Sequence, residues 1–346
     1  MEQGRLDPAD RSSNIFLKEE YSMKKPAVWG SKKFELEFRM IDISILSFLL
    51  GISLLEIIFR DRTPGWDSLV LENVIIGIGL ISLTTIIRRV HSTRVRSTGE
   101  MILFLSVLSA VYSEMGRIIH IVFPFFYDSV INRIESALFG IYPTVWMEGS
   151  MHPWLTELMM FAYVVYTLLL PLVAVVLLTR GKRSDLERYL TDLVLTNLAC
   201  YLFYFLVPVA GPSRALVSVR TVPVQGYFFT AISEYMIRTV HLNGGAFPSA
   251  HCAATTVMLA ALYRFKRGWG FAFLPMAALI FVSTVYGWFH YVTDVVAGIG
   301  LAATMMWVTP RLGSLVAPLY FNIEILGRKS CEPSPVSEHG IAGEGL

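Results

Sequence analysis

The chain has 346 residues, 54% of them hydrophobic and 16% charged, with a net charge of +2 and a mean hydropathy of +0.55. A soluble globular domain carries about 25% charged residues, and here the apolar residues gather into runs long enough to cross a hydrocarbon core roughly 30 Å thick. These figures exclude a soluble domain and predict an all-α, polytopic membrane bundle, with no nucleic-acid partner.

Residues 1–36 are polar and mixed in charge, without the apolar core of a cleavable signal peptide, and read as a cytoplasmic arm. Eight apolar runs follow, at about 41–59, 70–87, 101–123, 155–178, 190–209, 250–265, 271–289 and 292–308. The first two fall in a segment over 37–99, and the other six form a six-helix membrane domain over 100–324. Between the third and fourth runs, YDSVINRIESALFG has the pattern of an interfacial amphipathic helix. The last two runs nearly touch, with His290 and Tyr291 at the turn, which forces an antiparallel hairpin. Residues 325–346 contain Glu, Ser, Pro and Gly and read as a disordered tail.

Lys and Arg mark one side of the membrane. They gather before the first run and in alternate connections, at Arg88, Arg89, Arg94 and Arg96, at Arg180, Lys182, Arg183 and Arg188, at Arg264, Lys266 and Arg267, and at Arg311. The excess of positive charge on cytoplasmic loops then places both termini in the cytoplasm and the His290 turn on the extracytoplasmic or lumenal side. Cys200 and Cys252 read as small buried side chains and Cys331 lies in the tail; no disulfide pair or metal-ligand spacing is evident.

Chemistry concentrates on the side away from the basic loops. GGAFPSAH, from Gly244 to His251, leads into an apolar helix that Ser249 can cap. Free backbone N–H groups and the helix dipole at such a start favour an anion, and His251 lies in the first turn beside it. In HYVTD, His290 and Asp294 are four residues apart and share a helix face. A carboxylate on one ring nitrogen would leave the other as nucleophile or base. His251 and His290 are separated by one inward and one outward helix, which returns both to the same level. In VPVAGPSR, Pro and Gly end the fifth run and deliver Arg214, a planar fork suited to phosphate, to that side. His120, His152 and His241 have no partner pattern and read as interfacial.

GGAFPSAH resembles the second signature of the type-2 phosphatidic acid phosphatase superfamily, usually P-S-G-H, and His-x-x-x-Asp at His290 and Asp294 resembles its third. The resemblance covers about the last six spans. It implies that His290 is a nucleophile forming a phosphohistidine, that Asp294 orients it, and that His251 protonates the leaving oxygen. Ser249 and nearby backbone, Gly245 included, would hold phosphate oxygens, with Arg214 in the place of the first signature's arginine. No cofactor is implied. The substrate would be a membrane lipid phosphate, with water or an alcohol as acceptor.

The pattern departs from the family in two places. The first signature's lysine is Val207 here, and the Ser-Arg ahead of the third signature's histidine is Ser283-Thr284. The same losses, the tyrosine-rich approach to H-Y-x-x-D and the segment YDSVINRIESALFGIYPTVWM are similar to the inositol phosphorylceramide synthase branch, an inositolphosphotransferase group. Arg117, one turn after Glu114 in the third run, either pairs with that glutamate or faces the site in place of a lost cation. Other classes stay open. His290 and Asp294 could be two zinc ligands on one helix face, and the scaffold could serve lipid binding or transport without catalysis.

Overall fold

A computed structural model describes residues 29–240, 242–315 and 319–328. Twelve α-helices are described: α1 Met40–Ile58, α2 Trp66–Arg88, α3 Thr93–Ile118, α4 Asp128–Phe139, α5 Pro143–Trp146, α6 Pro153–Arg180, α7 Arg183–Leu206, α8 Pro212–Ala215, α9 Phe228–Val240, α10 Ala250–Phe265, α11 Arg267–Tyr286 and α12 Val292–Leu315. The bundle occupies residues 36–320, and the chain ends make a separate unit. There, strands Trp29–Phe38 and Leu319–Arg328 pair as a two-stranded sheet. The expected arm and tail otherwise lie outside the described residues.

Seven of the eight apolar runs form helices long and apolar enough to cross a membrane. The remaining one, α10, has 16 residues, about 24 Å of helix, and is shorter than a usual span. Its position explains why it suffices. It packs against α6, α7, α11 and α12, and Cys252, Ala253, Ala254, Val257 and Met258 are fully buried. A helix sheathed by others need not match the lipid. Its small residues allow close approach, nowhere closer than at Gly298 of α12. A Cβ there would stand 2.4 Å from Ser249 O.

Local chemistry sets the helix ends. Asp42 Oδ2 accepts from Arg39 N at 2.8 Å to start α1, and Asp185 Oδ2 accepts from Lys182 N at 2.9 Å to start α7. Pro153 opens α6, where a missing N–H costs nothing. Helix α4 ends at Gly140 in the left-handed conformation.

The basic ends of the helices meet. Arg88 of α2 pairs with Asp42 at 2.8 Å and Glu100 of α3 at 3.2 Å, and Arg39 and Arg183 reach Glu100 at 3.3 and 3.6 Å. Glu187 of α7 closes the network with Arg39 at 3.1 Å and Arg183 at 2.6 Å. Asp42 and Glu100 are buried, so this cluster ties the first two helices to the core. Nearby in the bundle, Arg264 of α10 reaches Asp192 of α7 at 2.8 Å, and Arg180 of α6 lies over the Trp269 ring of α11. The opposite ends of α10, α11 and α12 carry His251 and His290.

Two departures from the sequence expectations stand out. The long connection before α10 contains α9, an amphipathic helix packed on α6. Glu157 of α6 fixes its start, accepting from Tyr227 N at 2.6 Å and from the N–H groups of Phe229 and Thr230. The second concerns Arg117, whose guanidinium forms a two-pronged pair with Glu72 of α2, one bond 3.0 Å, instead of pairing with Glu114.

Candidate active site

The end of α11 is bent to present His290. Gly287 stops the helix, Trp288 takes φ +64°, and the N–H groups of Phe289 and His290 both turn back to Thr284 O at 3.0 Å. His290 is 4% exposed. Its Nδ1 lies 2.9 Å from Ala246 O and 3.5 Å from Asp294 Oδ2. A carbonyl oxygen only accepts, so Nδ1 carries the proton. In the neutral ring Nε2 then holds a bare lone pair. Burial keeps the ring neutral, pushing its pKa down to about 4 against the opposing effect of Ala246 O.

Asp294 does more than face His290. Its Oδ2 accepts from Tyr291 N at 2.9 Å, and its main-chain oxygen accepts from Ser249 N at 3.0 Å. The carboxylate thus shapes the start of α12 and locks α12 to α10, while the closer acceptor for Nδ1 is the main chain at Ala246.

His251, in the first turn of α10, brings its ring centroid to 5.8 Å from that of His290. Tyr163 stacks on it at 4.8 Å and 17°, and Tyr166 lies at 4.5 Å. These rings hold the imidazole from the α6 side. Ser249 caps α10, its Oγ accepting from Cys252 N at 3.4 Å. It is fully buried, and with its own N–H on Asp294 it acts within the protein as a cap and a tie. Ala250 N, one residue on, has no acceptor among the described residues, and Ala250 and Gly245 border the cavity described below.

The turn after α7 fixes Ala246. Val209 N donates to Gly244 O at 2.9 Å and Ala246 N to Val209 O at 3.0 Å, a short parallel bridge. At Gly211, φ is +91° and a Cβ would meet Phe289 O at 2.8 Å, so the turn lies directly against the His290 segment. Ser213 N donates to Trp288 O at 2.9 Å.

Helix α4 supplies two carboxylates that the sequence did not single out. Asp128 Oδ2 accepts from Ala210 N at 2.8 Å, and Oδ1 from Gly211 N at 2.9 Å and Tyr291 OH at 3.1 Å. Glu135 Oε1 accepts from Thr293 N at 3.0 Å and Thr293 Oγ1 at 3.2 Å. Burial pushes both carboxyls above their ordinary range, with these hydrogen bonds opposing. The two residues are seven apart, two helical turns, and so share one face of an amphipathic helix. That spacing was the available signal.

His251, His290, Asp294, Ser249 and Gly245 therefore come together, and the two arginines do not join them at the cavity. Arg214 is exposed on the four-residue α8. Arg220, further along the same turn, lies over the Trp288 ring at 5.3 Å. Arg117 is held by Glu72 on the α2 side. Where the family's lost cations would stand, Val207 is partly buried and Thr284 is fully buried, donating to Phe281 O at 2.8 Å. His120 and His152 make local contacts, with Phe123 O at 3.0 Å and Trp154 N at 3.4 Å, and His241 lies outside the described residues. Among the described residues no group of three or more His, Cys, Asp or Glu is arranged to hold a metal ion.

Both histidines border a cavity of about 270 Å³ between α3, α6, α7, α9 and α10. Its wall is built chiefly from tyrosine and aliphatic side chains.

Compared with known proteins, residues 130–308, just over half of the chain, match the family model described as PAP2 superfamily. That span begins inside α4, two residues after Asp128, and ends in α12, and so includes Glu135, the turn at Arg214 and both histidines. No curated protein and no solved structure matches the chain significantly.

Proposed function

Since the chain belongs to the PAP2 superfamily, a family of membrane phosphatases and phosphotransferases, we propose that it cleaves or transfers a lipid phosphoester through a phosphohistidine on His290. The observation that carries this is the state of His290. Its Nδ1–H is committed to Ala246 O at 2.9 Å and its ring is buried and neutral, which leaves the Nε2 lone pair available as a nucleophile, with the His251 ring centroid 5.8 Å from its own.

In the first step the Nε2 lone pair forms the P–N bond. The bond from phosphorus to the lipid oxygen breaks with its electrons on oxygen, and His251 supplies the proton. His290 becomes positively charged as it bonds phosphorus, and the Asp294 carboxylate 3.5 Å from Nδ1 stabilises that charge. In the second step His251 takes a proton from water or an alcohol. The new O–P bond forms, the P–N bond breaks, and Nε2 regains its lone pair. The Ala250 N–H at the start of α10 and the exposed Arg214 are candidates for the phosphate oxygens. The cluster of basic residues at the other helix ends supports an extracytoplasmic or lumenal position for the histidine-bearing ends, by the preference of positive charge for the cytoplasmic side.

Transfer to a lipid alcohol, of the inositol phosphorylceramide synthase type, is the second form of this reaction, favoured by the uncharged, tyrosine-rich cavity beside His251. The test is to trap the intermediate on purified protein with radiolabelled lipid phosphates. Acid-labile label should appear on the wild type, be absent from His290→Ala and persist longer in His251→Ala. Alcohol acceptors then separate transfer from hydrolysis. Folded protein that neither labels nor turns over any lipid phosphate would leave a lipid-binding protein on this scaffold.

A further inference from the structure

The cavity beside the histidines has the wall of a site for something uncharged. His251 and His290 stand at one end, and no Lys, Arg, Asp or Glu among the described residues lines it. Five tyrosines do: Tyr112, Tyr163, Tyr166, Tyr201 and Tyr204. Phenol rings offer apolar faces to a chain and hydroxyls that donate or accept. A phosphate cannot move into this wall, because nothing there compensates its charge.

The cavity also has a direction. Along α6 it runs from Tyr163 to Leu170, and along α7 from Tyr204 to Asn197. Seven residues of helix in each case correspond to about 10 Å. Asn197 therefore marks the far end, nine residues before α7 stops at Leu206 and about 13 Å inside the bundle along that helix.

Asn197 is an expensive residue to keep at that depth. It is 5% exposed. Its Nδ2 donates to Leu193 O at 2.8 Å, and since a carbonyl accepts only, the nitrogen must face Leu193 and the oxygen is left over. No described residue donates to that oxygen, and the side chain borders the cavity. An acceptor that no described side chain engages and that borders the cavity gains a partner when the occupant brings a donor.

We infer that the cavity seats the alcohol portion of a neutral lipid, with its hydroxyl at His251, and that Asn197 Oδ1 selects lipids carrying a second donor, a hydroxyl or amide N–H, about 10 Å along the chain. The near end is assigned by the catalytic reading above; the selection by Asn197 stands on the cavity itself. A site built to hydrogen-bond a donor rejects the analogue that lacks it, so a plain alkyl or prenyl chain is the disfavoured occupant.

Binding to the full-length protein in detergent tests this, with hexadecanol and a hexadecanediol whose second hydroxyl sits mid-chain as probes. The wild type should bind the diol at least about tenfold more tightly. Asn197→Leu should bind both alike, and His290→Ala should keep the preference, because binding needs no chemistry. Absence of preference in the wild type, or its survival in Asn197→Leu, overturns the inference. If Asn197→Leu does not fold, a diazirine placed mid-chain decides on the wild type. Labelling of α7 around Asn197 supports the assignment, and labelling elsewhere overturns it. A diol preference without any phosphate release would instead sink the catalytic reading and leave the binding site standing.

Discussion

The phenol of Tyr291 donates to Asp128 Oδ1 at 3.1 Å, across 163 residues of sequence. The same carboxylate receives the N–H groups of Ala210 and Gly211. One side chain on the amphipathic helix α4 therefore joins the turn that sets Ala246 to the connection that presents His290. The histidine's orientation depends on both partners of that link.

Replacing Asp128 by Asn should lower kcat with little effect on KM. An amide keeps the shape but offers one accepting oxygen, so at least one of the three donors is left facing nitrogen. Hydrogen bonds to a charged acceptor contribute about 1.5–3 kcal/mol, and misplacing His290 by that measure corresponds to roughly 10–100-fold in rate. Steady-state kinetics on a lipid phosphate would show it, and Tyr291→Phe should show a smaller loss of the same kind. A rise in KM with unchanged kcat would place Asp128 at the substrate instead.

The low pKa of His290 has a thermodynamic sign. Between about pH 6.5 and 4 the unfolded chain protonates this imidazole and the folded chain does not. The unfolded state then binds more protons, so stability falls as pH drops through that window and levels off below about 4. With 1.36 kcal/mol per pKa unit, the loss reaches at most about 3 kcal/mol. Melting curves of the wild type and His290→Gln from pH 7 to 4 test this, and the variant should lack that part of the slope. Equal slopes would mean that His290 titrates normally in the folded protein.

Glu100 should be the weak point of the basic end. It is 3% exposed and neutralises Arg39, Arg88 and Arg183. Breaking a fully buried ion pair costs about 3–5 kcal/mol, and the loss here should be smaller, because Arg88 keeps Asp42 and Arg39 and Arg183 keep Glu187. Glu100→Ala should lower the melting temperature in detergent yet leave turnover per folded molecule near wild type, since the cluster lies at the far ends of the helices. Loss of activity without loss of stability would argue that α1 and α2 serve the chemistry directly.

Gly211→Ala should damage both stability and rate. At φ +91° an L side chain is strained, and its Cβ would stand 2.8 Å from Phe289 O, one residue before His290. Strain of this kind costs roughly 1–3 kcal/mol. The comparison of interest is Gly140→Ala in the same assays. Gly140 also has a positive φ, of +71°, with open space around its Cβ position, so it should lose stability and keep activity.

Much of this was legible in the sequence, for identifiable reasons. Helix α10 begins and ends where the apolar run does, because Ser249 marks its start and Lys266 its end. The pairing of His251 with His290 followed from the two helices between them, but the expected hairpin did not close: α12 leaves the short connection to pack chiefly on α10 and α7 rather than on α11. Helix α9 escaped because its apolar residues, Phe228, Phe229, Ile232, Met236 and Ile237, follow a helical period in a segment too polar to be read as a span. Asp128 and Glu135 act through partners 163 and 158 residues away, and no local pattern encodes such contacts. For Arg117 the spacing to Glu114 suggested a partner on the same helix, but the side chain reaches Glu72 on its neighbour.

The acceptor on His290 Nδ1 is a main-chain oxygen, and this has an evolutionary consequence. A carboxylate in that position can be lost in a single codon change, whereas no substitution at residue 246 deletes a peptide carbonyl. The tautomer of His290 is thereby written into the path of the chain between Gly244 and Pro248, and not into any one side chain along it.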